Sequence, residues 1–257
     1  MLPGEQGIPT GKVTEICGMA GIGKTQLWYV PRNRVLLQQY VHSMQLCANV
    51  QIPTELQGLG GAALFIDTEG SFSAERFQDI AQATVAICNS CLAEDSEARL
   101  DLWRVLNNVK ILRVFSQQEQ IDVINGIEDH IRMTPRLRLI VIDSIALHFR
   151  HTYRDIAMRS RMLTGMAQTL RHVAEIHDIA IVITNQMTTK IVGKGTDEET
   201  ALMVPALGES WAHACTNRVI LLWHQGYRHA WLCKSPNAED SIVPYAVSAD
   251  GIRDQEM

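Results

Sequence analysis

Short runs of apolar and β-branched residues alternate along the chain with longer amphipathic segments. Seven runs predict β-strands: KVTEICG, AALFIDTEG, NVKILRVFS, LRLIVIDSI, DIAIVITNQ, NRVILLWHQ and YRHAWLCKS. A period near 3.6 predicts helices in AERFQDIAQATVAI and RSRMLTGMAQTLRHVAEI. Because strands and helices alternate and the strands are apolar almost throughout, we predict an α/β fold whose mostly parallel, twisted sheet is covered by helices on both faces.

The last two predicted strands differ from the earlier ones in how they are connected. A short link separates the last two predicted strands, so we expect an antiparallel pair at the edge of the sheet. Two polar stretches have no period: HFRHTYRDIAMRS after the fourth strand, and MTTKIVGKGTDEETALMVPALGES after the fifth. Loops of this length in a compact domain are usually functional or disordered. Both follow carboxyl ends of strands, where open α/β sheets bind ligands.

Composition narrows the class of protein. The 257 residues, 46% of them apolar and 20% charged, suit one globular domain. The net charge of −5 gives no overall basic field, so any nucleic-acid contact has to be a local patch. The most apolar run, LRLIVIDSIALHF, contains Asp143 and is too short to cross a bilayer. The first residues lack the pattern of a secretory signal.

Six cysteines, at positions 17, 47, 88, 91, 215 and 233, are scattered through apolar segments. In a chain of this length they predict buried, reduced thiols and an intracellular location. Cys88 and Cys91 form a pair in CNSC, but a zinc site needs further ligands at close spacing. The preceding amphipathic segment predicts that the pair simply continues the buried face of a helix.

The segment GMAGIGKT fits the phosphate-loop pattern G-x-x-x-x-G-K-[ST], and it directly follows the predicted strand KVTEIC. Its glycines let backbone N–H groups converge on phosphate oxygens, and the following helix adds its positive end. We expect Lys24 to reach the β- and γ-phosphates and the hydroxyl of Thr25 to bind Mg²⁺. A chance glycine turn is the alternative. The predicted nucleotide-binding residues are Gly18, Met19, Ala20, Gly21, Ile22, Gly23, Lys24 and Thr25.

Polar side chains stand where three further strands end. A carboxylate at the tip of a buried strand is costly, so Asp143 is predicted to be the second Mg²⁺ anchor, through water, rather than a helix cap. Glu69 can orient and deprotonate the water that attacks the γ-phosphate, and Asp67 is its rival as general base. Gln186 can sense the γ-phosphate, although an ordinary strand-end amide is equally consistent. With Lys24, Glu69 and Gln186 are the predicted catalytic residues.

Several segments match a known family in order and over nearly the whole chain: IPTGKVTEICG, GKTQ, FIDTEGSF, ITNQMTTKI, VPALGESWAHA and KSP. Together they resemble the core of RecA-like recombinases, and more closely the eukaryotic Rad51 family. NQMTTKI and PALGESWAHA are similar to the C-type paralogue rather than to the strand-exchange recombinase itself.

This resemblance implies a RecA-type core that binds ATP and Mg²⁺ and hydrolyses ATP when stimulated by DNA. It implies work in homologous recombination and double-strand-break repair in the nucleus. The implied partners are single-stranded or branched DNA, other recombinase paralogues and the strand-exchange recombinase. By resemblance, residues 148–159 and 188–211 are DNA-facing loops, and KSPNAED around Pro236 covers ATP bound on a neighbouring subunit.

Basic side chains in the two predicted DNA loops suit contacts with phosphates. The first loop supplies Arg150, Arg154 and Arg159, and the second supplies Lys190 and Lys194. The second loop also contains TDEET, whose carboxylates would repel a phosphodiester. A solvated loop is therefore as consistent with this segment as a DNA contact is.

Other parts of the family are not found in this sequence. There is no small N-terminal helical domain, no segment through which one protomer docks on another, and no basic tail after GIRDQEM. We therefore expect one RecA-like domain over residues 1–257 that does not form filaments by itself.

The segment after the phosphate loop departs from the family. WYVPRNRVLLQQYVHS stands between GKTQL and MQLCANVQIP. Pro31 costs about 3 kcal/mol in a helix interior, so the helix must bend or end near Val30. A second amphipathic helix could then begin at about Asn33. Its apolar face would consist of Leu37, Tyr40, Val41, Met44 and Ala48.

Codon boundaries offer a sharper explanation. Trp-Tyr-Val can be encoded as TG|G-TAT-GTA, which contains an intron's 5′ boundary, and Ser43 as AG|C, which contains a 3′ boundary. Excision would leave one cysteine codon and shorten the separation of Lys24 and Glu69 from 45 to 30 positions. We predict that residues 28–43 are an aberrant insertion, replaced by a single Cys in the functional protein. A genuine extra helix is the alternative.

Two other functions remain open at this point. The chain could be a non-catalytic scaffold subunit of a recombination complex, with nucleotide as a structural ligand or absent. It could also be another RecA-fold DNA motor, such as a hexameric helicase. Whether the chain is an enzyme is therefore left open by the sequence.

Overall fold

A mostly parallel sheet forms the centre of the computed structural model, which describes residues 7–19, 22, 43–150, 156–192, 200–248 and 250–254. The strands are β1 (Val13–Gly18), β2 (Ala62–Asp67), β3 (Val109–Arg113), β4 (Leu137–Asp143), β5 (Ala180–Val192), β6 (Thr200–Pro205), β7 (Asn217–His224), β8 (Tyr227–Lys234), β9 (Ser241–Ser248) and β10 (Gly251–Asp254). Their order is β10-β9-β8-β7-β1-β5-β4-β2-β3, and β6 pairs with β5. Neighbours from β7 to β3 in this order are parallel, whereas β8, β9 and β10 pair antiparallel.

Helices cover both faces of this sheet. They are α1 (Ser43–Asn49), α2 (Ala74–Ser90), α3 (Leu102–Asn107), α4 (Gln117–Asn125), α5 (Ile127–Met133), α6 (Ile156–His177) and α7 (Gly208–Ala214), with 3₁₀ turns at Thr54–Leu56 and Leu147–Phe149. Along β2, Leu64 and Ile66 face the core cluster that includes α4, α5 and α6, while Ala63 and Phe65 face the cluster that includes α1 and α2. The strands are apolar throughout because both of their faces are buried. The predicted α/β class is confirmed.

Local signals explain where the helices begin. The side-chain oxygens of Ser73, Asp101 and Ser116 accept hydrogen bonds from backbone N–H groups in the first turns of α2, α3 and α4. Such N-caps satisfy donors that have no partner within the helix. In the described part of the chain, no helix combines the length and apolarity needed to cross a bilayer.

The seven strands predicted from the sequence are all present, and both predicted helices are confirmed as α2 and α6. The hairpin of β7 and β8 is antiparallel as predicted. Its predicted place at the sheet edge is wrong, because β9 pairs with β8 and β10 pairs with β9. The sequence of β9 is interrupted by Pro244, which obscures its strand pattern.

The two polar stretches are more regular than predicted. Strand β5 continues to Val192 and pairs with β6, so much of the second predicted loop is a hairpin, and its last residues belong to α7. This hairpin was missed because its apolar side chains, including Ile191 and Leu202, are largely exposed and give no buried face. In the first stretch, Arg159 lies within α6 rather than in a loop.

Predictions about the segment after the phosphate loop fall mostly outside the described residues. Of the helix expected from about Asn33, the structure describes only α1, in which Met44 and Ala48 are buried as predicted. The polar side chain of Gln45 in α1 is buried too, and its Nε2 donates to Thr84 of α2. The helix is therefore packed on more than the one face that the pattern predicts.

The six cysteines are free thiols, as predicted, but Cys233 is only half-buried, so the predicted burial is wrong for it. Cys88 is buried, and burial raises its pKa to about 12. Cys91 is exposed at the end of α2, so the prediction that the buried face continues through both members of the pair is wrong for Cys91. Burial also raises the pKa values of Cys17 and Cys215, and the charge of Glu15 raises them further.

Candidate active site

The carboxyl ends of the central strands meet at one level of the sheet. Gly18, the first glycine of the phosphate-loop motif, is paired in register with Gln186 of β5. Asp67 of β2 is paired with Asp143 of β4. The strand order places β5 beside β1, β4 beside β5 and β2 beside β4, so side chains that are far apart in sequence converge at this edge.

Glu69 is the centre of a hydrogen-bonded cluster at this edge. Its Oε1 accepts from the amide Nε2 of Gln186 at 2.6 Å and from the hydroxyl of Ser144. The amide oxygen of Gln186 accepts in turn from the guanidinium of Arg150. The structure therefore joins the predicted general base, the predicted γ-phosphate sensor and one predicted DNA contact in a single chain of hydrogen bonds.

Asp67, the rival of Glu69, has a different environment. It is 1% exposed, and its carboxylate accepts from the backbone N–H groups of Gly70 and Ser71 at 2.7 and 3.1 Å and from Arg113 at 2.8 Å. Gly70 has a φ of +74°, and a Cβ there would lie 2.1 Å from an Arg113 nitrogen. Asp67 thus shapes the turn that carries Glu69 and has little capacity left to bind a water.

Asp143 ends β4 and is 2% exposed. Its Oδ1 accepts from the hydroxyl of Thr184 at 2.6 Å, and its Oδ2 accepts from that of Ser71 at 3.2 Å. Within the described ranges, no group of three or more His, Cys, Asp or Glu side chains could hold a metal ion. One carboxylate among hydroxyls suits Mg²⁺ that arrives with a nucleotide and is held mainly by phosphates and water.

The phosphate-loop motif is described only in part. Gly18, Met19 and Ile22 are described, whereas Ala20, Gly21, Gly23, Lys24 and Thr25 lie outside the described residues. Ile22 is 1% exposed, and its backbone N–H donates to the carbonyl of Met19 at 3.4 Å. The phosphate-binding role of residues 18–25 stays a prediction.

The predicted DNA contacts are not brought together. Arg150 is exposed beside Gln186, Arg159 is half-buried in α6, and Lys190 is exposed four residues beyond Gln186 along β5. Arg154 and Lys194 lie outside the described residues.

The beginning of the first predicted DNA loop packs against α4. The ring Nδ1 of His148 lies 2.9 Å from Oε1 of Gln120. Burial lowers the pKa of His148, and the charge of Glu119 opposes this effect. His148 is therefore held beside α4 and is less available to DNA than Arg150 is.

Pro236 lies in a cleft of about 620 Å³ at the opposite end of the sheet. The cleft is lined by residues 11–13 at the amino end of β1, and by Arg171, His213 and Lys234 among others. Strand β1 separates this end from the phosphate loop by about 16 Å at 3.3 Å per residue. Pro236 therefore does not join the cluster around Glu69 in the same chain.

Sequence reasoning missed a buried ion pair between the two ends. Glu15 of β1 is fully buried, and its Oε2 accepts from Nε of Arg218 at 2.6 Å. Its Oε1 accepts from Asn185 at 2.7 Å and from the indole N–H of Trp211 at 2.8 Å. Burial alone would lower the pKa of Arg218, but the charge of Glu15 raises it. A glutamate inside the apolar strand KVTEICG was the available signal.

Sequence reasoning also missed Ser144, which directly follows Asp143. Its side chain binds Glu69, and its backbone N–H donates to the hydroxyl of Thr68 at 2.9 Å. No pattern marks such a serine, because its role depends on two strands meeting side by side.

Comparison with known proteins identifies the family of this chain. The Rad51 family model matches residues 1–255. The chain is 39% identical over 255 residues to DNA repair protein RAD51 homolog 3 of Cricetulus griseus, covering 96% of the chain and 64% of the relative. It is 35% identical over 252 residues to the protein of the same name from Dictyostelium discoideum, covering 96% and 61%.

An archaeal protein is similar as well. DNA repair and recombination protein RadA of Metallosphaera sedula is 31% identical over 257 residues, covering 97% of this chain and 68% of the relative. The chain thus spans less than two thirds of the length of the two RAD51 homologs and about two thirds of RadA. The chain belongs to the Rad51 family.

Proposed function

We propose that this chain is an ATP-dependent DNA repair protein that acts in homologous recombination and double-strand-break repair as a recombinase-paralogue subunit. The observation that carries the proposal is Glu69, whose carboxylate accepts hydrogen bonds from Gln186 and from Ser144, the residue after Asp143. The names of the relatives, which are DNA repair and recombination proteins, support it. A nuclear location is proposed on the same ground.

The phosphate-loop motif and the side chains at the carboxyl end of the sheet suggest how ATP would be handled. Residues 18–25 would bind the phosphates, and Asp143 would hold Mg²⁺ through water, while the metal would neutralise charge on the phosphates. Glu69 would orient a water and accept its proton. Gln186 and Ser144 hold the Glu69 carboxylate at the carboxyl end of the sheet, so this base has a defined direction before nucleotide arrives.

The cleft around Pro236 suggests how partners enter. It carries the basic side chains of Lys12, Arg171 and Lys234 beside the single carboxylate of Glu175. An excess of positive charge suits the triphosphate of a nucleotide bound to a neighbouring paralogue or to the strand-exchange recombinase. Because the cleft is remote from the chain's own phosphate loop, the proposed complete site needs two subunits.

DNA would be contacted first by Arg150. Its guanidinium is exposed and already bound to Gln186, which is bound to Glu69. A DNA phosphate that draws Arg150 away would change the environment of the base, which offers a physical route for stimulation of hydrolysis by single-stranded or branched DNA.

The principal test is Glu69→Gln, which keeps the shape of the side chain but removes the base. We expect turnover of ATP to fall by about 10²- to 10⁴-fold, while the affinity for a fluorescent ATP analogue stays the same. ATP hydrolysis would be measured with DNA and with the paralogue complex present, alongside repair in cells lacking the protein.

Glu75→Gln, at an exposed position on α2, is the matched control and should leave hydrolysis and repair unchanged. Loss of hydrolysis together with loss of repair would support the proposed enzyme. Intact repair in Glu69→Gln would contradict it.

A non-catalytic scaffold subunit is the second candidate. It is favoured by the remote position of Pro236, since a chain that offers only a covering surface could serve another subunit's ATP. Intact repair in Glu69→Gln with loss of repair on changing the Pro236 cleft would select it. Another RecA-fold DNA motor is not proposed, because the Rad51 model accounts for residues 1–255.

Residues 28–43 are proposed to be an aberrant insertion. Of these, only Ser43 is described, at the start of α1. The test replaces residues 28–43 by a single Cys and compares binding of a fluorescent ATP analogue. We expect the shortened chain to bind more tightly, by up to about a hundredfold, since a proline in a helix interior costs about 3 kcal/mol. Equal binding would contradict the proposal and identify the segment as a tolerated element.

A further inference from the structure

The side chain of Asn185 lies where β5 changes its pairing partner. The last pair of β5 with β1 joins Gln186 to Gly18, and its first pair with β6 joins Met187 to Pro205. Asn185, one residue before this change, is fully buried. A buried side-chain amide needs hydrogen-bond partners at both of its ends, so its contacts indicate what the residue does.

The amide of Asn185 has a partner for its nitrogen and for its oxygen. Its Nδ2 donates to Oε1 of Glu15 at 2.7 Å and to the backbone carbonyl of Ala206 at 2.8 Å. Its Oδ1 accepts from the backbone N–H of Gln186 at 2.8 Å. Both hydrogens of the amide nitrogen are therefore used, and the side chain connects β1, the end of β6 and the residue that binds Glu69.

Glu15 determines which way this amide points. Its Oε1 also accepts from the indole N–H in α7, and its Oε2 accepts from Arg218, so both oxygens act as acceptors. The acceptors of Glu15 and Ala206 can bind only the nitrogen of the amide, which leaves its oxygen for Gln186. The buried ion pair thus fixes the orientation of the Asn185 amide.

The backbone of Gln186 is held on both sides. Its N–H donates to Asn185, and its carbonyl accepts from the N–H of Ala206 at 2.8 Å. A fixed backbone limits the rotamers of the Gln186 side chain, whose Nε2 donates to Glu69 at 2.6 Å. The hydrogen bonds therefore run from Glu15 through Asn185 and Gln186 to the proposed general base.

The two neighbouring amides differ in what they can do. Gln186 is half-buried at the carboxyl end of the sheet, where it binds Glu69. Asn185 is fully buried, and its nitrogen and oxygen are both engaged with protein groups. Asn185 can therefore affect the reaction only through Gln186.

We propose that Asn185 is a positioning residue for ATP hydrolysis, which holds the backbone of Gln186 so that the side chain of Gln186 stays on Glu69. The proposal rests on the proposed ATPase function and on Glu69 as its base. It gives the buried pair of Glu15 and Arg218 a part in aligning the catalytic end, besides its part in stability.

The test is Asn185→Leu in the full chain, which keeps the approximate shape of the side chain and removes its three hydrogen bonds. We expect kcat for ATP hydrolysis, with DNA and partner paralogues present, to fall about tenfold, as for the loss of one or two hydrogen bonds. KM for ATP should change by less than about threefold, because the phosphate-loop motif is unaltered. Without nucleotide, amide hydrogen exchange at Gln186, measured by NMR, should become faster because its N–H loses its acceptor.

Asn185→Ser is a second, milder variant, which keeps the test valid if Asn185→Leu does not fold. Its hydroxyl can still bind Glu15 or Ala206, and the space that it leaves can hold a water. One hydroxyl cannot bind all three partners of the amide. We therefore expect a smaller loss of stability than in Asn185→Leu, but again a lower kcat and faster exchange at Gln186.

Asn217→Leu is the matched control. Asn217 is a buried asparagine on β7, on the other side of β1, and its Nδ2 donates to the hydroxyl of Thr14 at 3.3 Å. The change removes a buried hydrogen bond from the same sheet. It should lower the melting temperature and leave kcat within about twofold of the parent, at a temperature where all variants are folded.

The outcomes separate this proposal from the proposed function. Glu69→Gln that hydrolyses ATP as fast as the unaltered chain would overturn the proposed function and the role of Asn185 with it. If Glu69→Gln is slow but the Asn185 variants are as fast as the unaltered chain, only the role of Asn185 is overturned. An equal fall of kcat in Asn217→Leu would also overturn that role. A lower kcat and faster exchange at Gln186 in the Asn185 variants alone would support it.

Discussion

The two ends of the central sheet carry different kinds of surface. At the carboxyl end, the polar side chains of Glu69, Ser144 and Gln186 are hydrogen-bonded to one another in a small cluster. At the amino end, Pro236 and Lys234 line a wide cleft. The first arrangement already holds its groups in place, whereas the second is open, and Lys12, Arg171 and Lys234 are among the side chains that line it.

This difference supports the proposal that the chain carries two halves of a site rather than one whole site. The proposed catalytic half follows from parallel strands that deliver their carboxyl ends to one edge. The proposed covering half is about 16 Å away along β1. A subunit built in this way suits assembly with similar subunits, each of which presents one end to its neighbour.

We expect the largest loss of stability from removing the buried ion pair of Glu15 and Arg218, which lies between the two ends of the sheet. Glu15 binds Asn185, next to Gln186, and also Trp211 in α7, which leads toward the cleft. Arg218→Met would leave the fully buried Glu15 without its counter-charge. We expect the free energy of unfolding to fall by about 3–5 kcal/mol, measured by urea denaturation.

Arg132→Met is the control for this change, because Arg132 pairs with Glu128 and Asp129 at the surface. Such exposed pairs contribute about 0–1 kcal/mol. The double variant Glu15→Gln with Arg218→Met should recover part of the lost stability, since neither buried charge then remains. A single variant as stable as the parent would show that the Glu15–Arg218 pair does not hold the two ends together.

Much of the catalytic end could be predicted from the sequence. Apolar strands that end in a polar residue identified Asp143, Glu69 and Gln186, because buried strands rarely end in such groups without a purpose. The sequence favoured Glu69 over Asp67 as the base. The fold adds a physical reason for this preference, because the carboxylate of Asp67 is paired with Arg113 of the neighbouring strand β3.

The parts that sequence missed share a physical cause. The side chains of Ser144 and Tyr245 form hydrogen bonds to residues far away in the chain, and such a bond leaves no periodic pattern. The hairpin of β5 and β6 leaves its apolar side chains largely exposed, so its sequence lacks the alternation that marks a half-buried strand. The period of apolar residues indicates which face of an element is buried. These features depend instead on individual contacts between distant residues.

A smaller loss of stability is expected from a change at Lys234, which lies at the amino end of the sheet. The ammonium group of Lys234 donates to the carbonyls of Ala212 and Cys215, at 2.8 and 2.6 Å, and so satisfies the carboxyl end of α7. Lys234→Met should lower the free energy of unfolding by about 1–2 kcal/mol, as for charge-assisted hydrogen bonds. Thermal unfolding would measure it, with Lys190→Met on the exposed part of β5 as the neutral control.

Lys234→Met also tests whether the two ends of the sheet have separate functions. If the cleft serves a neighbouring subunit's nucleotide, as proposed, Lys234→Met should leave the ATP affinity of the isolated chain unchanged. It should lower ATP hydrolysis in a complex reconstituted with partner paralogues, where the cleft is used. A loss of affinity in the isolated chain would contradict the division, since it would mean that the amino end acts on the chain's own phosphate loop.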